Sequence, residues 1–180
     1  SAQTKRDVAG FLVATPRAVD PELRDGDVVY QRSTSAQSAA IALATGSEWT
    51  HTGLVRLIDG EPWVLEAVQP VRLTRYADWV RRGVDERVSV QRHVEADGIW
   101  SAAALARLDA LQQRWLGRDY DARFEPGDAS LYCSELVREA FLRAAGVDLT
   151  PLRPVSSYEV SDPALRAAMA SRWGGVPESL

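Results

Sequence analysis

The dipeptide Asp59-Gly60 constrains the fold of this chain most, because it lies between two β runs, Thr52 to Ile58 and Trp63 to Val68. Glycine accepts the positive φ that a tight hairpin turn requires, so the two runs are expected to pair antiparallel. Further strand signals surround this hairpin. Arg24-Asp25-Gly26-Asp27 reads as a turn into the strand Val28-Val29-Tyr30-Gln31, and a short strand, Val71-Arg72-Leu73, follows Pro70. Arg87 to Arg92 alternates, with Val88 and Val90 on one face and Ser89 and Gln91 on the other.

Helical patterns sit between and after the strands. Ser35 to Ala44 is small and helical, between a Ser cap and Gly46, and Thr74 is placed to cap a helix from Arg75 to Arg82 that Gly83 ends. Asp97 is placed to cap the longest helix, Ile99 to Leu116, whose apolar stripe carries Leu105, Leu108, Leu111 and Trp115. A further helix begins at Cys133 and ends at Gly146. A small antiparallel sheet packed with helices is an α+β domain.

The 180 residues suffice for a single domain, 1–180, with a proper core. Residues 1–23 are expected to form an irregular lead-in, with Phe11, Leu12 and Val13 packing on the body. Arg118 to Ser130 lacks periodicity and reads as a loop. The segment 148–180 holds Pro151, Pro154 and a short final helix capped by Ser161 or Asp162 ahead of Pro163. The chain opens with Ser rather than Met, so an upstream segment is expected to have been removed or to lie outside it. No stretch approaches about 20 uncharged apolar residues, so no transmembrane segment is expected. A net charge of −4 argues against nucleic acid as a partner. One cysteine and two histidines leave no material for an intrachain disulfide, a cysteine-based zinc site or a histidine-rich metal centre, and no metal or cofactor is expected.

That one cysteine, Cys133, stands where a helix begins. Unpaired backbone N–H groups and the positive end of the helix dipole there favour the thiolate, the form that attacks carbonyl carbon. The helix after Cys133 carries an apolar stripe of Leu136, Val137, Ala140, Phe141 and Ala144, and Cys133 lies on that same inward side, so a buried small hydrophobe is the competing reading. His51 opens a strand instead of sitting in an apolar stripe, which suits a base reaching from a sheet edge into a cleft; a surface or capping role is the alternative. His93, between Arg92 and Glu95, looks like a solvated strand end. Glu66 lies on the strand expected to pair with that of His51, flanked by Leu65 and Ala67. A carboxylate buried there needs a partner, and an imidazole N–H would supply one; otherwise Glu66 is exposed and without a role.

Several linked segments resemble a known family. Gly26-Asp27-Val28-Val29-Tyr30-Gln31, Gln37-Ser38, Ala44-Thr45, Thr50-His51-Thr52-Gly53, Leu65-Glu66-Ala67-Val68, Gly117-Arg118-Asp119-Tyr120-Asp121 and Tyr132-Cys133-Ser134-Glu135 resemble the YiiX-like group. That group belongs to the circularly permuted branch of the NlpC-type, papain-fold cysteine peptidases and amidases. The resemblance covers roughly Arg24 to Val147. It implies a permuted papain-like fold with the nucleophile at a helix N-terminus, Cys133 as nucleophile, His51 as general base and Glu66 as the group orienting His51. The permutation accounts for the cysteine coming last. Tyr120 matches the tyrosine of a Gly-x-x-Tyr element and would contact the oxyanion or substrate, with Tyr132 and Gln31 as weaker substrate-contacting candidates. The resemblance also points to a bacterial periplasmic or cell-envelope setting.

The implied function is a cysteine hydrolase that cleaves an amide in a peptide, a cell-wall-derived fragment or an amino-acyl conjugate through a thioester acyl-enzyme. The implied partner is therefore a small amide- or acyl-bearing substrate. Permuted relatives of the lecithin:retinol acyltransferase type handle acyl chains, so an acyltransferase or lipid hydrolase is the second reading, and a catalytically silent binding module the third. Apolar surface beside Cys133 would favour the second; a charged or hydrogen-bonding cleft would favour the first.

Overall fold

In the computed structural model, which describes residues 5–6, 11–14, 22–121, 130–149, 163 and 167, seven strands form the main sheet. They are β1 (Lys5–Arg6), β2 (Phe11–Ala14), β3 (Val28–Gln31), β4 (His51–Ile58), β5 (Glu61–Glu66), β6 (Arg72–Arg75) and β7 (Val88–His93). Their order is β1-β2-β7-β3-β4-β5-β6, and each neighbouring pair is antiparallel. Asp59 and Gly60 both take positive φ, 53° and 80°, and close the hairpin between β4 and β5. The helices are α1 (Ser38–Thr45), α2 (Tyr76–Arg82), α3 (Ala96–Ile99), α4 (Ala102–Trp115) and α5 (Cys133–Ala140). A π turn, Phe141–Ala145, extends α5 to Gly146, which is left-handed at φ 75°. A short parallel pair, β8 (Asp119–Tyr120) and β9 (Ser130–Leu131), lies just ahead of α5. Among the described residues no helix is long and apolar enough to cross a membrane.

The central strands are apolar on both faces, as strands covered on both sides must be. Val28, Leu54 and Leu65 point to one face and pack with Leu108, Leu111, Leu136 and Phe141 from α4, α5 and the π turn. Their chain neighbours Val29, Val55 and Val64 point to the other face and pack with Tyr76 and Trp79 of α2. The expected stripe of α5, Leu136, Val137, Ala140, Phe141 and Ala144, is buried throughout. That burial fixes where the N-terminus of α5 lies against β4.

Several sequence expectations are corrected. The lead-in is not irregular throughout: β1 and β2 extend the sheet, with Phe11–Ala14 pairing β7. The expected long helix is broken between Ile99 and Ala102. Trp100 drops into the core edge-on to Phe141 at 4.9 Å, close under Gly26, where any Cβ would overlap its indole. Ser101 then caps α4 by accepting from the Ala104 N–H at 3.3 Å, so Asp97 is not the cap; it sits exposed in α3 and pairs with Arg24. Helix α1 starts at Ser38 without a side-chain cap, and α2 starts at Tyr76, because the Thr74 hydroxyl is engaged elsewhere. His93 is half-buried beside Phe141 rather than solvated. The packing expected of the side chains of residues 11–13, most of the loop after Asp121, and the capped helix near Ser161 lie outside the described residues.

Candidate active site

Cys133 is the first residue of α5, after the extended residue Tyr132. The Glu135 carboxylate accepts from the Tyr132 N–H at 3.3 Å, which stabilises this helix start. Cys133 is half-buried, with the backbone N–H groups of Thr52 and Ser134 and the His51 ring lying around its thiol. Thr52 belongs to β4, so the strand that carries His51 also holds the thiol.

His51 opens β4, with Gln31 of β3 as its register partner. Its Nε2 lies 2.7 Å from Glu66 Oε2, which leaves Nδ1 for the thiol. The β4–β5 register pairs Leu54 with Leu65, so Glu66 lies across from Gly53. His51 is two residues away on the same face, within diagonal reach. The pairing is thus a consequence of the hairpin.

Glu66 is fully buried, and five donors converge on it. Oε2 accepts from His51, from Trp79 Nε1 at 3.1 Å and from Arg82 Nη2; Oε1 accepts from Thr74 Oγ1 at 2.7 Å and Arg72 Nε at 3.4 Å. Burial alone would push this carboxyl up. The bonds from His51, Arg82 and Thr74 and the His51 charge reverse that and hold it down at about 2. Burial also opposes the charged form of His51, but the hydrogen bonds and charges of Cys133 and Glu66 raise it to about 9. Burial raises the Cys133 thiol, yet the His51 hydrogen bond and charge, with the Thr52 and Ser134 N–H groups, bring it below the ordinary thiol value. All three directions favour a thiolate beside an imidazolium.

A cleft of about 330 Å³ opens in front of Cys133 and His51. Ser33, Ser35 and Gln37 form one wall, held in place where Thr50 Oγ1 accepts from the Ser33 N–H at 2.9 Å and shares a 2.7 Å bond with Ser38 Oγ. Ile41, Ala67 and Val68 supply apolar surface. Gln69 accepts from the Tyr120 N–H at 2.7 Å and donates to Asp119 at 2.6 Å, which fixes Tyr120 at the rim.

The structure therefore brings Cys133, His51 and Glu66 together and lines the cleft with Tyr120 and Gln31. Tyr132 is not among the cleft-lining residues; its phenol is pushed up to about 12 by burial and by the Glu135, Cys133 and Asp121 charges. Sequence reasoning missed Trp79, Arg72, Thr74 and Arg82, all of which bind Glu66, and Arg82 also lines the cleft. Their only trace in the sequence was the alternation of β6, which puts Arg72 and Thr74 on one face. Among the described residues no three His, Cys, Asp or Glu side chains are arranged to hold a metal ion. Glu66 is unsuited to that role, since two guanidinium groups and three further donors already occupy its oxygens.

Comparison with known proteins places this geometry. The family described as "permuted papain-like amidase enzyme, YaeF/YiiX, C92 family" matches residues 22–180. The uncharacterized protein YiiX of Escherichia coli K12 is 32% identical over 167 residues, covering 93% of this chain and 81% of its own. A crystal structure described as that of metalloprotein yiiX from Escherichia coli O157:H7 superposes with a TM-score of 0.80 at 32% identity, covering 88% of this chain and 87% of its own.

Proposed function

The chain belongs to the permuted papain-like amidase family of the YaeF/YiiX type, and on that premise we propose that it hydrolyses an amide bond with Cys133 as nucleophile, His51 as general base and Glu66 orienting His51. One observation carries this reading: the His51 ring is bound on one side by a fully buried carboxylate and on the other by a thiol at a helix N-terminus.

The chemistry follows from that placement. The Cys133 thiolate attacks the amide carbonyl carbon, forming the C–S bond and a tetrahedral oxyanion. The backbone N–H of Cys133 and the Tyr120 hydroxyl are the groups assigned to that oxygen; one such donor typically contributes about 3 kcal/mol. His51 passes its Nδ1 proton to the amide nitrogen, the C–N bond breaks, and a thioester is left. Water then attacks with His51 accepting its proton, and the C–S bond breaks to release the acid. Glu66 holds the imidazolium through Nε2 in both halves. Gln31, Ser33, Gln37, Gln69 and Arg82 supply hydrogen-bonding groups for a peptide-like, cell-wall-derived or amino-acyl substrate, while Ile41, Ala67 and Val68 supply the apolar surface that the acyl chain of a transferase or lipid-hydrolase substrate would need.

The test is the pH dependence of Cys133 alkylation by iodoacetamide in wild type and His51→Ala, followed by intact mass. Wild-type Cys133 is expected to react well below the ordinary thiol range, and His51→Ala to restore ordinary behaviour. A thiol that titrates normally in both proteins would sink the assignment.

A further inference from the structure

Two side chains in the cleft have no part in the relay from Glu66 to Cys133. The first is Arg82, at the end of α2. Among the described residues its side chain pairs with Glu66 through Nη2 alone, and it is one-third exposed and lines the cleft. The second is Gln31, the register partner of His51. Its side chain is 1% exposed, and its Oε1 has no hydrogen-bond partner among the described atoms. A buried amide oxygen without a donor is unfavourable unless a ligand or water completes it.

Both residues line the same cleft, and the end of α2 packs on the Gln31 amide. Gly83 follows Arg82 directly, and a Cβ at Gly83 would overlap Gln31 Oε1. Its φ of −76° is open to any residue, so the lack of a side chain serves space and not conformation. Residues 82–83 are shaped around the Gln31 amide. Arg82 brings a guanidinium to the cleft lining, the group that binds a carboxylate most strongly.

We infer that the substrate is an amide whose leaving amine is an amino acid with a free carboxylate: the carboxylate sits on Arg82 and the scissile N–H donates to Gln31 Oε1. A guanidinium and an amide acceptor lining one cleft match the –NH–CHR–COO⁻ end of an N-acyl amino acid or short peptide. This rests on the hydrolase reading and sharpens it to cleavage of a C-terminal residue. Gln31 holds the amide so that the nitrogen faces His51, which must protonate it. The atoms balance as in the scheme above, with the free amino acid leaving first and the acid released by water.

The test is protection of Cys133 from iodoacetamide by N-acetylglycine or by N-acetylglycinamide, which lacks the carboxylate. In wild type the acid is expected to protect at a concentration at least about tenfold lower than the carboxamide. Arg82→Gln should abolish that preference and Arg82→Lys retain part of it. Gln31→Leu should weaken both ligands alike, because both carry the N–H. If Arg82 only steadies Glu66, Arg82→Gln will change the unprotected alkylation rate and leave the acid-to-amide ratio intact, which would overturn the proposal. Equal protection by both ligands in wild type would overturn it as well. A thiol inert to iodoacetamide without any ligand would instead mark failure of the hydrolase reading, and the proposal would fall with it.

Discussion

Two clusters of buried charge sit at opposite ends of β4, and they differ in what they leave open. Near the hairpin, the buried Arg56 guanidinium donates to Asp25 at 2.8 Å, Gln112 at 3.0 Å and Asp109 at 2.7 Å. Asp25 also accepts from the Leu57 N–H at 3.0 Å. Gln112 and Asp109 belong to α4 and Asp25 to the turn ahead of β3, and none of the three lines the cleft. At the other end, the buried charge is an anion, Glu66, and its partners include two groups that open onto the cleft, His51 and Arg82. The first cluster is closed and cements two elements together. The second is anchored on one side only, so that the Cys133–His51 pair and the Arg82 guanidinium face the cleft. A buried ion pair says little about function; the direction in which its partners face says much more.

The sharpest way to test that contrast is Cys133→Ala. Turnover is expected to be abolished while the urea midpoint stays near wild type, within about 1 kcal/mol, because Cys133 is half-buried at a helix end and not in the core. Strong destabilisation would mean that the thiol is a packing residue. Next come paired alanine variants of the two clusters. Arg56→Ala leaves the buried Gln112 amide without its donor, and Glu66→Ala leaves the His51 and Trp79 N–H groups without their acceptor, so each should cost about 1–3 kcal/mol in urea unfolding. Only Glu66→Ala should also lower kcat/KM per folded molecule, and equal activity in the two variants would erase the distinction.

Titration refines the comparison further. Activity should rise as the Cys133 thiol ionises, below the usual thiol range, and fall as pH passes about 9, where His51 loses its proton. Glu66 has its own signature in stability. Its folded pKa of about 2 lies below the ordinary 4.5, so its contribution is full above pH 4.5 and is lost as pH falls towards 2. The unfolding free energy of wild type should therefore drop across that window, and Glu66→Gln should flatten the drop. The smallest expected effect belongs to Gly83→Ala. The new Cβ displaces the Gln31 amide, so KM should rise a few-fold while Cys133 alkylation without ligand is unchanged.

Much of this architecture was legible before any coordinates. Asp59-Gly60 implied the hairpin, and the hairpin brings His51 and Glu66 within reach because side chains two apart share a face. The position of Cys133 ahead of Leu136, Val137, Ala140, Phe141 and Ala144 implied a buried helix with a thiol at its start. These are local or near-local signals, set by turn chemistry and periodicity. The continuous helix expected from Ile99 to Leu116 failed for a non-local reason: Trp100 is more stable against Phe141 and under Gly26 than in a regular turn. Thr74 failed as a cap because a buried carboxylate competes for its hydroxyl.

The sequence by itself thus determined the sheet-and-helix framework and the hairpin, because each depends on spacing along a single segment, whereas the pairing of Cys133 with His51 was implied only by the family resemblance. Only the tertiary structure decided how Glu66 is kept charged and what else faces the substrate. Trp79, Arg72, Thr74 and Arg82 come from β6 and α2, and their convergence on one carboxylate depends on strand register and helix docking. The Gln31 amide beside Gly83 likewise joins β3 to the end of α2, 52 residues away. Contacts of that range leave no periodic mark on a sequence, since they are fixed by the packing of elements and not by the propensities of the residues within them.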